Sequence, residues 1–288
     1  MVPNAVKRSP SPGQAQAMLT QLRTRTRRGL GQAIGERRAG ELSTRVRDIH
    51  HGAGYRLHPE GRRSASIIES LRNTHVGERC FILGNGPSLV KLDLRRLRGE
   101  RTFGLNRGYL LFDRIGFETT YHICINQLVA SQFAPDLAAL GSRKLFAWST
   151  RRHFAGHADI AFVRTMARAH FSTDPAKGMW EGSTVTYVAL QLAFFIGFTE
   201  VILIGVDHNF ATKGPANQTV TATAGDASHF DPSYFGPGVR WQLPDLERSE
   251  MAYVMARDHF DRAGRRVLDA TLDGKLQVFE KAEYDELF

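Results

Sequence analysis

The chain has 288 residues, 42% of them hydrophobic and 23% charged, with a net charge of +9. That length buries a sizeable core in one large or two small domains, and the composition excludes a disordered or fibrous protein. The charge is unevenly placed: residues 1–63 hold 13 Lys and Arg against Glu36, Glu41, Asp48 and Glu60, and the remainder carries 25 residues of each sign. The basic character thus belongs to one segment, and nucleic-acid binding by the whole chain is not expected.

The longest apolar stretch, Val185 to Phe198, is interrupted by Thr186, Tyr187, Gln191 and Gly197. It is too short and too polar to span a bilayer. The basic N-terminal residues are followed by no apolar segment of the signal-peptide kind. Cys80 and Cys124 sit in apolar, strand-like runs, which implies reduced buried thiols rather than a disulfide or metal framework. A cytoplasmic protein is expected, with peripheral contact at the inner face of the membrane open to the basic arm.

Taken in chain order, residues 1–17, with Ser9-Pro10-Ser11-Pro12-Gly13 at their centre, read as a disordered lead-in. From Ala15 to about Asp48 a thin apolar face of Leu19, Leu22 and Leu30 among arginines predicts a basic helix. Such an arm (1–63) suits an anionic lipid or protein surface, or simply a solvated segment. His51-Gly52-Ala53-Gly54 reads as a hinge and Ser64 to Asn73 as a helix opening the main domain, 64–288. Strands are then predicted at Cys80–Leu83, Arg101–Leu105, Tyr121–Ile125, Lys144–Trp148, Glu200–Asp207 and Arg265–Ala270, with helices at Thr184–Phe195 and 245–263. Gly197 is placed to cap the first of these helices. Apolar strands alternating with helices predict a Rossmann-like α/β fold, mostly parallel, with helices on both faces. The strand ends carry Asn85, Asn106, Asn126 and Asp207, where ligands sit in such sheets.

Four segments offer chemistry. Gly84-Asn85-Gly86-Pro87-Ser88 follows the first strand, where glycines admit a close ligand and amides can face phosphate, with a helix predicted from Ser88. It matches neither the dinucleotide fingerprint nor a P-loop. Ser183 and Thr184, ahead of the apolar helix, suit a donor phosphate or sugar carboxylate, or an ordinary N-cap. Asp207-His208-Asn209 suits a ribose, a metal or a hydroxyl, although Asp207 would equally cap a turn. The stretch 211–241 is long, polar and aromatic, and reads as a lid. Its His229 is the candidate general base, or else a capping histidine.

Gly84 to Leu89 after an apolar strand, with Gly182-Ser183-Thr184 and Gly197-Phe198-Thr199 running into the strand ending at Asp207, resemble the 6-hydroxymethylpterin pyrophosphokinase-like (MptE-like) domain family. The same blocks are similar to the bacterial family-42 sialyltransferases and the motility accessory factors. The resemblance covers about residues 75–275. Its sialyltransferase form implies a nucleotide-sugar donor, CMP-linked in that family, and a glycan acceptor, with no cofactor. Asn85, Asn106 and Asn126 would then hold nucleotide and sugar, Ser183 the donor, and His229 the acceptor proton. Tyr234 and His208 would stand in for that family's phosphate-binding tyrosines. The pyrophosphokinase form implies ATP and Mg²⁺. Asp207 is available for the metal and Asp226 could join it, but no cluster of acids lies near the glycine turn, and that shortage favours sugar transfer as the expected reaction. A third reading is a non-catalytic nucleotide-binding module tethered by the basic arm.

Overall fold

The computed structural model describes Asp48 and residues 52–288. The remainder of the basic arm, and the helix expected between Ala15 and Asp48, lie outside the described residues. All elements below belong to the compact unit His51–Phe288. Residues 52–57 are helical where the glycines suggest a hinge. Helix α1 (Pro59–Glu69) starts earlier than Ser64, because Pro59 occupies its first turn and the His58 ring accepts from Glu60 N–H.

Strand β1 (Arg79–Leu83) leads to a 3₁₀ turn at Pro87–Lys91, a second at Leu94–Leu97, and β2 (Thr102–Leu105). Helix α2 (Phe112–Ile115), β3 (Tyr121–Cys124), α3 (Gln127–Gln132), α4 (Ala134–Ala139) and β4 (Arg143–Ala147) follow. Next come β5 (Ile160–Val163), the short pair β6 (Thr165–Met166) and β7 (Met179–Trp180), and α5 (Val185–Ile196). The chain ends with β8 (Glu200–Ile204), β9 (Thr219–Thr221), β10 (Arg240–Gln242), α6 (Leu246–Arg262), β11 (Arg266–Asp269) and β12 (Glu280–Lys281).

Eight strands form one sheet in the order β12-β11-β8-β1-β2-β3-β4-β5, with every pairing parallel. This is the expected Rossmann-like α/β arrangement. The chain steps outward from β1 to β5, then returns to β8 on the other side of β1. The switch point therefore lies between β1 and β8, where open parallel sheets form a ligand crevice. Strand β5 was not read from the sequence, because four apolar residues show no periodicity that separates strand from helix.

Burial on both faces follows the period of two. Cys80 and Ile82 of β1, with Val201 and Leu203 of β8, enter one core beside α5 and α6. Phe81, Leu83, Ile202 and Ile204 enter the other, under α2, α3, α4 and residues Phe230, Tyr234, Phe235 and Trp241. The two cysteines lie on opposite faces, both free and buried, and burial pushes the Cys124 thiol up to about 12. Helix α5 is buried along most of its length, starts at the Thr184 cap and ends at Gly197 with φ 109°. Each large apolar side chain so buried contributes roughly 1.5–3 kcal/mol. At the outer edge, Tyr55 OH donates to the Phe162 carbonyl at 2.9 Å, and Arg63 reaches the Ala158 and Ile160 carbonyls. The segment before α1 and α1 itself thus cover edge strand β5.

At the switch point a Cβ on Gly84 would overlap the Gly205 carbonyl, and one on Gly86 would overlap the Asp207 carboxylate. Gly86→Ala should accordingly lower unfolding free energy by roughly 1–3 kcal/mol in urea denaturation. Gly54→Ala, in a helical segment with open space around the site, should leave stability unchanged or raise it by about 0.4–1 kcal/mol.

Candidate functional site

A cavity of ≈ 670 Å³ opens over the carboxyl ends of β1, β2, β3 and β8. Its floor is Gly84, Asn85, Gly86, Asn106, Asn126 and the run Gly205 to Phe210. The start of α5 and Ser249 and Tyr253 of α6 form one wall; residues between Asn217 and Asp245 form the other. Of the expected site residues, Gly84, Asn85, Gly86, Asn106, Asn126, Ser183, Thr184, Asp207, His208, His229 and Tyr234 line this space, whereas Pro87 and Ser88 do not.

The glycine turn has a different role from the phosphate cradle that its sequence suggests. Gly84 N–H donates to the Ile204 carbonyl and Gly86 N–H to the Gly205 carbonyl, both at 2.8 Å. Ser88 donates to Asp207 twice, from N–H at 3.1 Å and from Oγ at 2.7 Å. Those amides are consumed in locking β1 to β8. The helix expected from Ser88 is only a five-residue 3₁₀ turn, which carries little macrodipole. Asp207 is thus the cap of this turn, and burial pushes its carboxyl above the ordinary value against the pull of the Ser88 bonds.

Asn126 caps α3, its Oδ1 accepting from Leu128 and Val129 N–H at 2.9 and 3.1 Å. Asn85 and Asn106 differ: the Oδ1 of each is buried without a partner among the described residues. Buried amides seldom stay unpaired, so these two are the floor groups most in need of a ligand donor. Asn106 has φ 51°, Ser183 60°, His208 54° and Asn217 64°; these four line the cavity, whereas the other two non-glycine residues of positive φ among the described residues, Asn73 and Asp273, do not. Such backbone concentrates at functional sites.

The start of α5 is the strongest anion-facing feature. Thr184 caps the helix, accepting from Thr186 N–H at 3.3 Å. Ser183 is exposed, and the N–H groups of Ser183 and Val185 make no hydrogen bond among the described residues. Glu181, beside this wall, was not singled out by sequence, since a lone glutamate has no signature. Burial pushes its carboxyl up, against a hydrogen bond from Thr165 and the charge of Arg248.

On the opposite wall Phe230, Tyr234, Phe235 and Trp241 of the 211–241 segment pack into the core, whereas residues 211–219 are exposed. His229 Nδ1 lies 2.7 Å from Asp226 Oδ2, with side chains 11% and 6% exposed. The Asp226 Oδ1 also accepts from Ser228 N–H at 2.8 Å, fixing the carboxylate. The His229 ring stacks on Tyr234, centroids 4.0 Å apart and planes 2° from parallel. Tyr234 has its hydroxyl on Arg107 N–H at 3.3 Å and is 1% exposed, so it serves as a platform for the imidazole. Arg107 is itself buried, donating to the Ser233 carbonyl at 2.7 Å and to that of Tyr234, with its guanidinium 3.7 Å from the Phe133 ring. Asp226 as the partner of His229 is visible in hindsight as an i, i+3 pair, a spacing too common to signal function. Among the described residues no three His, Cys, Asp or Glu converge to hold a metal. Asp207 and Asp226, the acids of the pyrophosphokinase reading, are committed to Ser88 and His229.

Beneath the floor His122, fully buried, holds the Asn106 carbonyl from Nε2 at 2.8 Å. Burial pushes its pKa from 6.5 down to about 4. Below pH 6.5 the unfolded chain takes up a proton that the folded one refuses, so stability is full above 6.5 and falls toward pH 4. The loss should approach about 3 kcal/mol. His122→Gln should flatten the fall in Tm between pH 7 and 4; an unchanged slope would rule His122 out as its source.

No protein-family model and no curated protein matches the sequence. Among solved structures, a MAf glycosyltransferase from Magnetospirillum magneticum AMB-1 is similar over 79% of this chain, at 14% identity and a TM-score of 0.48. This chain spans 39% of that one, and a likeness of this size assigns neither a site nor a reaction. Among the described residues no helix is long and apolar enough to cross a membrane.

Proposed function

We propose that the chain is a transferase that moves a sugar from a nucleotide-activated donor to an acceptor hydroxyl, in the synthesis of a surface polysaccharide or glycan. The observation that carries this reading is His229, which lines the cavity at the switch point with its Nδ1 held by Asp226 behind it. Asp226 accepts from Nδ1–H, which leaves Nε2 as the basic nitrogen. That is the arrangement of an oriented general base, and a non-catalytic nucleotide-binding module has no need of it.

The reaction follows from the two walls. The acceptor hydroxyl forms a bond to the anomeric carbon while the bond from that carbon to the donor phosphate oxygen breaks. Its proton passes to His229 Nε2, and the electron pair leaves with the nucleotide phosphate. The free N–H groups at the start of α5 stabilise that departing charge. Asn85 and Asn106 supply the amides for the nucleotide or sugar. Among the described residues lining the cavity there is no Lys or Arg, while Glu181, Asp207 and Asp245 are present. A donor with one phosphate, such as a CMP-linked sugar, suits these walls better than a triphosphate. Nothing in the geometry favours the pyrophosphokinase reading.

A thermal-shift screen against CMP, CDP, UDP, GDP and ATP, with and without Mg²⁺, tests the donor class. A metal-independent rise in Tm with CMP is expected, since a ligand of the folded state stabilises it by mass action. A rise with ATP and Mg²⁺ alone would count against sugar transfer. With a donor in hand, His229→Ala should lower kcat by roughly 10²–10⁴-fold. Asp226→Asn should lower kcat in the same direction with little change in KM.

A further inference from the structure

We infer that the face built from α1, the helical turn before it and the stretch after β4 docks the folded body on an anionic lipid surface. Arg56, Arg62, Arg63, Arg151 and Arg152 meet the headgroups there, and Leu57 enters between them. The inference stands apart from the transferase reading and needs neither a donor nor turnover.

Two stretches of chain form this face, with Trp148 at their junction. The Trp148 ring meets those of Tyr55 and His58, centroids 5.1 and 5.4 Å away, and carries the Arg151 guanidinium at 4.2 Å. Arg63 crosses the other way, to the Ala158 and Ile160 carbonyls. Charge here is one-sided. Of the five arginines, only Arg63 has a carboxylate partner among the described residues, Glu60 at 3.8 Å. Asp159, beside them, is taken by Lys144. By contrast Arg95, Arg101 and Arg262, on other elements, each hold a carboxylate. Ten further Lys and Arg in residues 1–50 precede the face in the chain, so the body continues a basic run that the arm begins.

Leu57 is 74% exposed, more than any other large apolar side chain among the described residues. A single exposed leucine is ordinary. This one sits among cations: Arg56 precedes it in the helical turn, and Arg62 donates to its carbonyl at 2.9 Å. An apolar tip beside unpaired arginines suits shallow insertion among anionic headgroups, where the apolar side chain leaves water and the cations stay at the interface. A single-stranded nucleic acid would want exposed rings on which to stack its bases, and Trp148 is only 8% exposed. The 3₁₀ stretch Trp148–Phe154, which supplies Arg151 and Arg152, also gives Ser149 to the cavity lining. Docking face and cavity therefore adjoin.

The test is co-sedimentation of the full chain with vesicles of equimolar phosphatidylglycerol and phosphatidylcholine, against phosphatidylcholine alone. The wild type should partition onto the anionic vesicles only, less so in high salt. An arginine near such a surface contributes about fivefold, so the combined variant Arg56→Gln, Arg62→Gln, Arg152→Gln should lower partition on the order of 10²-fold. Leu57→Ser alone should lower it about tenfold. A control, Arg95→Gln, Arg101→Gln, Arg262→Gln, removes the same charge elsewhere and should lower it by less than about fivefold; thermal melts verify that each variant is folded. Wild-type partition retained in the first variant assigns binding to residues 1–50 and overturns the inference. So does an equal loss in the control, which makes net charge the cause, or a wild type that leaves the anionic vesicles unbound. Tighter binding to duplex DNA than to vesicles, lost in the first variant, overturns it in favour of a nucleic-acid face.

Discussion

The contact between the turns after β1 and β8 is the constraint on which the rest of the molecule depends. Two parallel strands that are neighbours in the sheet but separated by more than a hundred residues must end at the same level. Their carboxyl ends are joined by main-chain bonds from Gly84 and Gly86, and by Asp207 accepting twice from Ser88. Only glycine fits at the two closest points. Because the register of β1 on β8 is fixed there, the floor residues fall at one height and the cavity acquires a definite base.

This use of the glycine turn moves the chemistry elsewhere. A first βα turn whose Gly84, Gly86 and Ser88 amides are already bonded, and which ends in a 3₁₀ element, offers few free amides and little helix dipole. The positive helix end in the cavity is instead that of α5, which enters after the chain has crossed back over the sheet. His229, on the opposite wall, comes from the segment between β9 and β10. The site is thus assembled from three distant stretches of chain, with the β1–β8 junction as their common support.

Much of the fold was legible in the sequence because it rests on local pattern. The runs that became β1, β2, β3, β4, β8 and β11 are apolar enough to be buried on two faces, and α5 announces itself through a capping threonine and a terminal glycine. The strand-end positions of Asn85, Asn106 and Asp207 followed from those strands. Their roles did not. Whether Asp207 faces a ligand or caps a turn depends on Ser88, 119 residues away, and no local pattern records such a pairing. His122 and Arg107 were invisible for the same reason: each acts by holding a carbonyl group of a distant segment. The long stretch at 211–241 read as a lid because it lacks periodicity, yet Phe230, Tyr234 and Phe235 within it are core residues, packed irregularly rather than on a helix or strand.

The clamp on the 228–235 stretch also says when the ordering of the His229 ring takes place. Phe230 N–H donates to the Asn85 carbonyl, Arg107 holds two carbonyls farther along, and Tyr234 supports the imidazole from below. These contacts come from the ends of β1 and β2, both parts of the central sheet. The imidazole is therefore oriented by protein groups alone, and the rotational entropy of that ring is given up when the chain folds. Binding of a substrate has no such ordering left to perform at this residue, so the free energy of association remains available for the substrate itself.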